Sequence, residues 1–319
     1  MTMITTITLN TAIDKGNRIQ HLRIGHVNRV EEMTCVPGGK GINVARVAAM
    51  LGSPVTISGF VGERDLVFFQ AELERLAIET RLLTVPGNSR TTIAVRTDQS
   101  AGVTEFLEQG PLIPEASIPA MMREIEQLAK RSRVICFSGS LPPGLPKDIY
   151  ASLISIAKGK GALTILDTSG EALSLGIQAS PDVIKPNREE LEQWCGKPLE
   201  RIQDVEAAAR KLVKLGVGTV IVSLDKDGCV AVTEHETIWA SPPSISPVNT
   251  VGCGDSLVAG IAHVLHETDD IQPSVWKQAL VIGTAAAASN AMQETAGHID
   301  IEQVRHFADK VKIVEQASI

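Results

Sequence analysis

Aromatic side chains are scarce in this chain: Phe, Trp and Tyr make up 3% of 319 residues, with a single Tyr, while the hydrophobic share is 44%. Such a core is aliphatic and alanine-rich, which favours layered α/β architecture over an all-β one. Cysteines are few and scattered (Cys35, Cys136, Cys195, Cys229 and Cys253) and never occur as Cys-x-x-Cys. That points to reduced thiols in a cytoplasmic setting and argues against a zinc site. Among the His residues only His263 and His266 have a metal-like spacing, one that is common on exposed helix faces. No apolar run reaches the roughly 20 residues that span a bilayer. No cationic leader precedes the first strand pattern, so no signal peptide is expected. A basic block is also missing. The net charge of −7 makes nucleic acid and anionic membranes poor partners. Any phosphate site must therefore be local.

What is present is an alternation of short apolar runs and helical patterns. Ile4 to Leu9 and Val55 to Phe60 read as strands, and Gly41 to Leu51 and Leu66 to Ala77 as helices. From Pro119 the rhythm is regular, with strands at Val134 to Ser138, Ala162 to Asp167, Val183 to Lys185 and Thr219 to Leu224 between helices. Strands of this kind belong to a parallel sheet covered on both faces. Helices are expected to fill the last third. The expected fold is a doubly wound, mainly parallel α/β sheet with ligand loops at the strand C-ends. Two polar β segments, near 11–35 and 89–109, break the rhythm and read as a small β lid on a single 319-residue domain.

Asn249-Thr250-Val251-Gly252-Cys253-Gly254-Asp255-Ser256 precedes an unbroken apolar run, so a glycine-rich loop becomes a buried helix there. Loop amides and a helix N-terminus together favour an anion. A carboxylate beside a held phosphate makes sense if Asp255 takes the proton of a hydroxyl that attacks it. The plainer reading is a tight turn with Asp255 as cap. Leu257 stands where a dinucleotide fingerprint needs its third Gly, and no Gly-Lys is followed by Ser or Thr as in a Walker loop. Cys253, at a helix N-terminus, is expected to be a reactive thiol.

Other loops fit ligands in the same way. Gly38-Gly39-Lys40-Gly41-Ile42-Asn43 enters a helix, with Lys40 able to reach a phosphate and Asn43 to bond hydroxyls. Ser140 follows a buried strand in a Pro-stiffened loop. Asn187 and Glu190 lie one helical turn apart, compatible with hydrated Mg²⁺ and with a capping box alike. Ser223 to Gly228 is a turn between strands. Asp14 could grip sugar hydroxyls or sit on a surface turn, and Arg90 stands alone before a strand.

In order, TLNTAID (8–14), GGKGINVAR (38–46), GSLPPG (139–144), KPNREE (185–190), SLDKDG (223–228) and TVGCGDS (250–256) resemble the PfkB (ribokinase-like) carbohydrate kinase family over nearly the whole chain. Within it the chain resembles the ketohexose-phosphate kinase branch. Thr104 to Pro111 and Gln293 to Gly297 look most like the members acting on tagatose 6-phosphate. The resemblance implies ATP-dependent phosphorylation of D-tagatose 6-phosphate, with fructose 1-phosphate or fructose 6-phosphate as the alternative substrate. A non-catalytic sugar-phosphate-binding regulator is the remote alternative.

By position it implies Asp255 as base and the amides of Gly252, Cys253 and Gly254 as anion hole. Asp14, Gly39, Lys40, Asn43, Arg90 and Ser140 would hold the sugar, with Lys40 and Arg90 near its phosphate. Lys185, Asn187, Ser223, Asp225, Gly228 and Asn290 would hold ATP, and Asn187 with Glu190 would organise Mg²⁺ through water. A monovalent cation such as K⁺ and a homodimer formed through the lid belong to the same expectation. This sequence departs from the family pattern at Thr11 (usually Pro), Cys253 (usually Ala or Ser) and Asp225 (usually Gly). The last puts the shape of the nucleotide loop in question.

Overall fold

The central strand is β1 (Met3–Thr8), buried along nearly its whole length. The computed structural model describes residues 2–97, 100–269 and 272–317. The chain continues through β2 (Ala12–Ile19), β3 (Glu32–Gly38), α1 (Lys40–Met50), β4 (Val55–Gly62), α2 (Leu66–Glu74), β5 (Glu79–Val85), β6 (Arg90–Thr97) and β7 (Ser100–Leu107). Then follow α3 (Ile118–Ala129), β8 (Ser132–Ser138), α4 (Ile149–Lys158), β9 (Leu163–Asp167), α5 (Gly170–Gly176), β10 (Val183–Ile184), α6 (Arg188–Cys195), α7 (Ile202–Lys214) and β11 (Thr219–Ser223). The last elements are β12 (Cys229–Val232), β13 (Glu236–Ser241), α8 (Cys253–Glu267), α9 (Pro273–Ala291), α10 (Ile301–Ala308) and β14 (Lys312–Ala317).

The large sheet has ten strands in the order β14-β13-β12-β11-β10-β9-β8-β1-β4-β5. Every pairing from β5 to β11 is parallel. The chain winds outward from β1 through β4 to β5, then returns to β8 and winds the other way. The topological switch point therefore lies between β1 and β8, where open α/β sheets place their ligands beyond the strand C-ends. One apolar cluster joins α1, α8 and α9 to one face, and another joins α3, α4 and α7 to the other. Gly260 and Gly283 let α8 and α9 touch backbone to backbone: a Cβ on Gly260 would lie 2.5 Å from the Cα of Gly283. That contact seats the C-terminal end of α9 behind the start of α8.

The last third is not purely helical as its sequence suggests. β12, β13 and β14 extend the sheet with antiparallel pairings, β13 and β14 registering Ile238 with Glu315. β5 also escapes the sequence reading because it is a half-exposed edge strand, ETRLLTV, with polar residues among its apolar ones.

The second sheet has the order β3-β2-β6-β7, and its strands fall in the two segments expected to form the lid. The inner pair β2–β6 is parallel and places Asp14 beside Thr92, while the two outer pairs are antiparallel.

Candidate active site

Six chain segments meet at the switch point: the ends of β1, β8, β9 and β10, and the starts of α1 and α8. Gly252 caps α8 at φ 84°, a left-handed conformation that glycine adopts without strain. Asp255 thus falls in the first helical turn, 6% exposed. The Nδ2 of Asn43, itself buried on α1, donates to Asp255 Oδ2 at 2.8 Å. Gly254 leaves the loop open toward Lys185, since a Cβ there would lie 3.3 Å from Lys185 Nζ. Loop amides and an ammonium group thus face a common space, which suits a phosphoryl group. Burial pushes the Asp255 carboxyl up to about 6, against the opposing pull of the Lys40 ammonium and with a further push from Asp167.

Asp167, at the end of β9, is a residue that sequence reasoning missed. It is fully buried and takes Lys40 Nζ at 3.2 Å and Lys185 Nζ at 3.4 Å on the same oxygen. Burial alone would raise its pKa, but Lys185 and Lys40 hold the carboxyl below the usual range. Asp167 in turn raises the pKa of Lys40. The other Asp167 oxygen has no hydrogen-bond partner. The available sequence signal was a carboxylate closing an apolar strand at the sheet's C-terminal edge.

On the sugar side, Thr92 donates to Asp14 across the β2–β6 pair. The Asp14 carboxyl lies over Gly38, where a Cβ would sit 1.9 Å from it. Burial raises the Asp14 pKa, partly offset by the Thr92 hydrogen bond and the charges of Arg46 and Arg90. Gly39 caps α1 at φ 107°. Arg90 donates from Nη1 to Glu108 O at 3.4 Å, while its buried Nε has no partner. Arg90, Ser140, Asn10 and Lys147 line a cavity of about 520 Å³, in which Asn10 Nδ2 donates to Ser140 Oγ at 3.2 Å. Lys40, expected beside Arg90 at the sugar's phosphate, is not among the residues lining this cavity. The Lys40 ammonium is held by Asp167, with Glu190 Oε1 at 3.9 Å, and the cavity's other cation is Lys147.

On the nucleotide side, Asn187 and Glu190 form the capping box of α6. Asn187 Oδ1 accepts from Glu190 N at 2.7 Å and Glu190 Oε2 from Asn187 N at 2.9 Å. Among the described residues no group of three or more His, Cys, Asp or Glu side chains is placed to hold a metal by itself. Glu190 Oε1 stays outside the capping box, which fits Mg²⁺ bound largely through water. A bridge between Asn187 and Ser223 brings the β11 loop alongside. Asp225 adopts φ 51°, the left-handed region where the family pattern has Gly. Asp tolerates that region better than most residues, so Asp225 takes up this conformation at little cost. Gly228 has φ 94°, and a Cβ there would lie 2.0 Å from Ala240 O.

Two further expectations change. Asn290 is fully buried and spends its amide inside the protein, donating to Val251 O at 2.9 Å and accepting from Gly297 N at 2.8 Å. It braces the glycine loop rather than facing a nucleotide. At Cys253 the activation expected of a helix N-terminus meets an opposing effect. Burial pushes it up to about 11, outweighing the Asn290 hydrogen bond, and nearby Asp255 and Asp225 push it the same way.

The fold and this set of residues define a sugar kinase that uses ATP. Residues 7–302 match the family model for pfkB family carbohydrate kinases, and the chain belongs to that family. Phosphofructokinase-2 from Escherichia coli in complex with potassium is 26% identical, with a TM-score of 0.89 over 97% of this chain and 99% of that one. A possible 1-phosphofructokinase from Thermotoga maritima shares the fold at 22% identity and a TM-score of 0.87, covering 99% of this chain and 100% of that one. Ribokinase from Thermotoga maritima shares it at 22% identity and a TM-score of 0.76, covering 97% and 100%. No described helix is long and apolar enough to cross a membrane.

Proposed function

We propose that the chain transfers the γ-phosphoryl group of ATP to a ketohexose phosphate, first of all converting D-tagatose 6-phosphate to D-tagatose 1,6-bisphosphate, with Asp255 as the base. The observation that carries the reading is a buried carboxylate at the mouth of a glycine loop, with a pKa pushed up to about 6, near the range in which a base works at neutral pH. Asp255 accepts the proton of the attacking hydroxyl as the new O–P bond forms and ADP leaves with the electrons of the old one. The amides of residues 252–254 and the Lys185 ammonium offset charge on the transferring group. Glu190, through water, would hold Mg²⁺, which would supply further neutralisation of the phosphates. A monovalent cation is kept in this reading because a phosphofructokinase-2 structure contains potassium.

Asp14 and Asn43 bond the sugar hydroxyls, Gly39 lets the backbone approach, and Arg90 with Ser140 receives the existing phosphate. The orphaned Nε of Arg90 supports that role. The tagatose assignment gains support from location. Glu105 of the lid and Glu294, Thr295 and Ala296 line one recess with Asp14, so both segments that resemble tagatose 6-phosphate kinases border the sugar. The second reading is fructose 6-phosphate as substrate, favoured by the 26% identity to phosphofructokinase-2.

Residues 1–319 are read as one domain, its lid closing over the sugar and pairing with a second copy. Exposed Met33, Phe106 and Leu107 on lid strands support that pairing. The test of substrate is a coupled ADP-release assay over tagatose 6-phosphate, fructose 1-phosphate, fructose 6-phosphate and the free sugars. The highest kcat/KM should fall on tagatose 6-phosphate. A preference for a free sugar would overturn the substrate class.

A further inference from the structure

Arg46 sits on α1, one turn after Asn43, and is 4% exposed. Burying a guanidinium is unfavourable unless its donors are met and its charge is balanced. Its three hydrogen-bond acceptors are neutral oxygens: Pro37 O at 2.7 Å, Ala296 O at 3.0 Å and Asn43 Oδ1 at 3.4 Å. The balancing charge comes across space from Asp14 and, more weakly, Glu72. A buried arginine on an apolar helix, spread over three separate segments, does more than fill space.

The acceptors lie at points that matter to the site. Pro37 precedes the two glycines under Asp14. Ala296 precedes Gly297, whose N–H is held by Asn290 and whose nitrogen would lie 2.8 Å from a Cβ on Gly252. Asn43 is the partner of Asp255. An amide presents either its oxygen or its NH₂ group to a neighbour. With Arg46 donating to Oδ1, the NH₂ end is the one turned to the Asp255 carboxylate. Without Arg46 the amide is free to rotate and bring its oxygen against that carboxylate, which is repulsive.

We infer that Arg46 is a positioning residue: acting through Asn43, it fixes the Asp255 carboxylate against the glycine loop of residues 252–254. The inference rests on the reading of Asp255 as base, which Asp255→Asn tests separately. Near-parental turnover in Asp255→Asn would remove that reading whatever Arg46 does.

The experiment compares Arg46→Lys, Arg46→Met, Asn43→Ala and the double variant Asn43→Ala/Arg46→Lys by steady-state kinetics, each normalised to the folded fraction from thermal melts. Lys keeps the charge but cannot span the three acceptors. Arg46→Lys should fold and lose about 10- to 100-fold in kcat, the scale of a small misplacement of reacting groups. Its KM for ATP should stay within about twofold of the parent. Because Arg46 acts through Asn43, the double variant should fall no more than about threefold below Asn43→Ala alone. Parental kcat in folded Arg46→Lys would overturn the inference, and so would losses that multiply in the double variant. If Arg46→Met does not fold, Arg46→Lys decides by the same criteria. Failure of Arg46→Lys to fold would make Arg46 purely structural and overturn the positioning role.

Discussion

Lys40 Nζ lies 3.2 Å from Asp167 Oδ1, joining the glycine loop that enters α1 to the end of β9 across 127 positions of sequence. The contact turns Lys40 toward the reacting end of the site. Asp167 also holds Lys185, which is 4% exposed, so removing the carboxylate strands a buried cation. Asp167→Ala should cost about 3–5 kcal/mol of stability, as breaking a buried pair does. The folded pKa of Asp167 is below its unfolded value. Its contribution is therefore complete above the ordinary carboxylate range, about 4, and is lost as pH falls through the folded value. Urea unfolding of parent and variant should show a gap at pH 7 that closes toward acid. A constant gap would contradict the pairing.

Arg90 and Lys40 should separate kinetically. Arg90→Ala removes a charge-assisted contact with the sugar's phosphate and should weaken sugar-phosphate binding about 10- to 150-fold, with little change in the KM for ATP. Lys40→Met should act mainly on kcat, because its ammonium lies with Asp167 and the field around Asp255. The comparison is made with both KM values and with the kcat/KM ratio of ketohexose phosphate over free sugar. Equal effects of both variants on sugar-phosphate KM would put Lys40 back at the phosphate.

Cys253 should resist alkylation while the protein is folded. A thiol pushed up to about 11 is almost wholly protonated at neutral pH, and the thiolate is the nucleophile. Exposed Cys35 should be modified first by iodoacetamide, as read by peptide mass spectrometry. Cys253→Ala should leave any inactivation rate unchanged. Fast labelling of Cys253 in the folded protein would contradict a raised thiol pKa.

The parallel strands were legible because each is a short apolar run, and the glycine loops because their backbone task restricts the residue type. Asp255 and Asn43 could be singled out because each stands beside such a loop, and Asp14 only by its place after the first strand. Asp167 and Arg46 could not. Asp167 meets Lys40 and Arg46 meets Ala296 far along the chain, so only the fold shows these contacts. Cys253 misled because a helix N-terminus lowers a thiol pKa, whereas here burial dominates. β14 and β5 lie at the two ends of the large sheet, where partial exposure weakens the apolar pattern.

The most direct test of the account is Asp255→Asn, measured for turnover, ATP binding and thermal stability. Burial holds the Asp255 carboxyl at about 6, above its ordinary value, so the ionised side chain disfavours folding at neutral pH. The variant should bind ATP normally and melt at or above the parent temperature. Its turnover should fall at least ~10²-fold, the scale of lost general-base catalysis. In the parent, kcat/KM should drop as pH falls below about 6, where Asp255 takes up its proton. Near-parental turnover in folded Asp255→Asn would contradict the central claim.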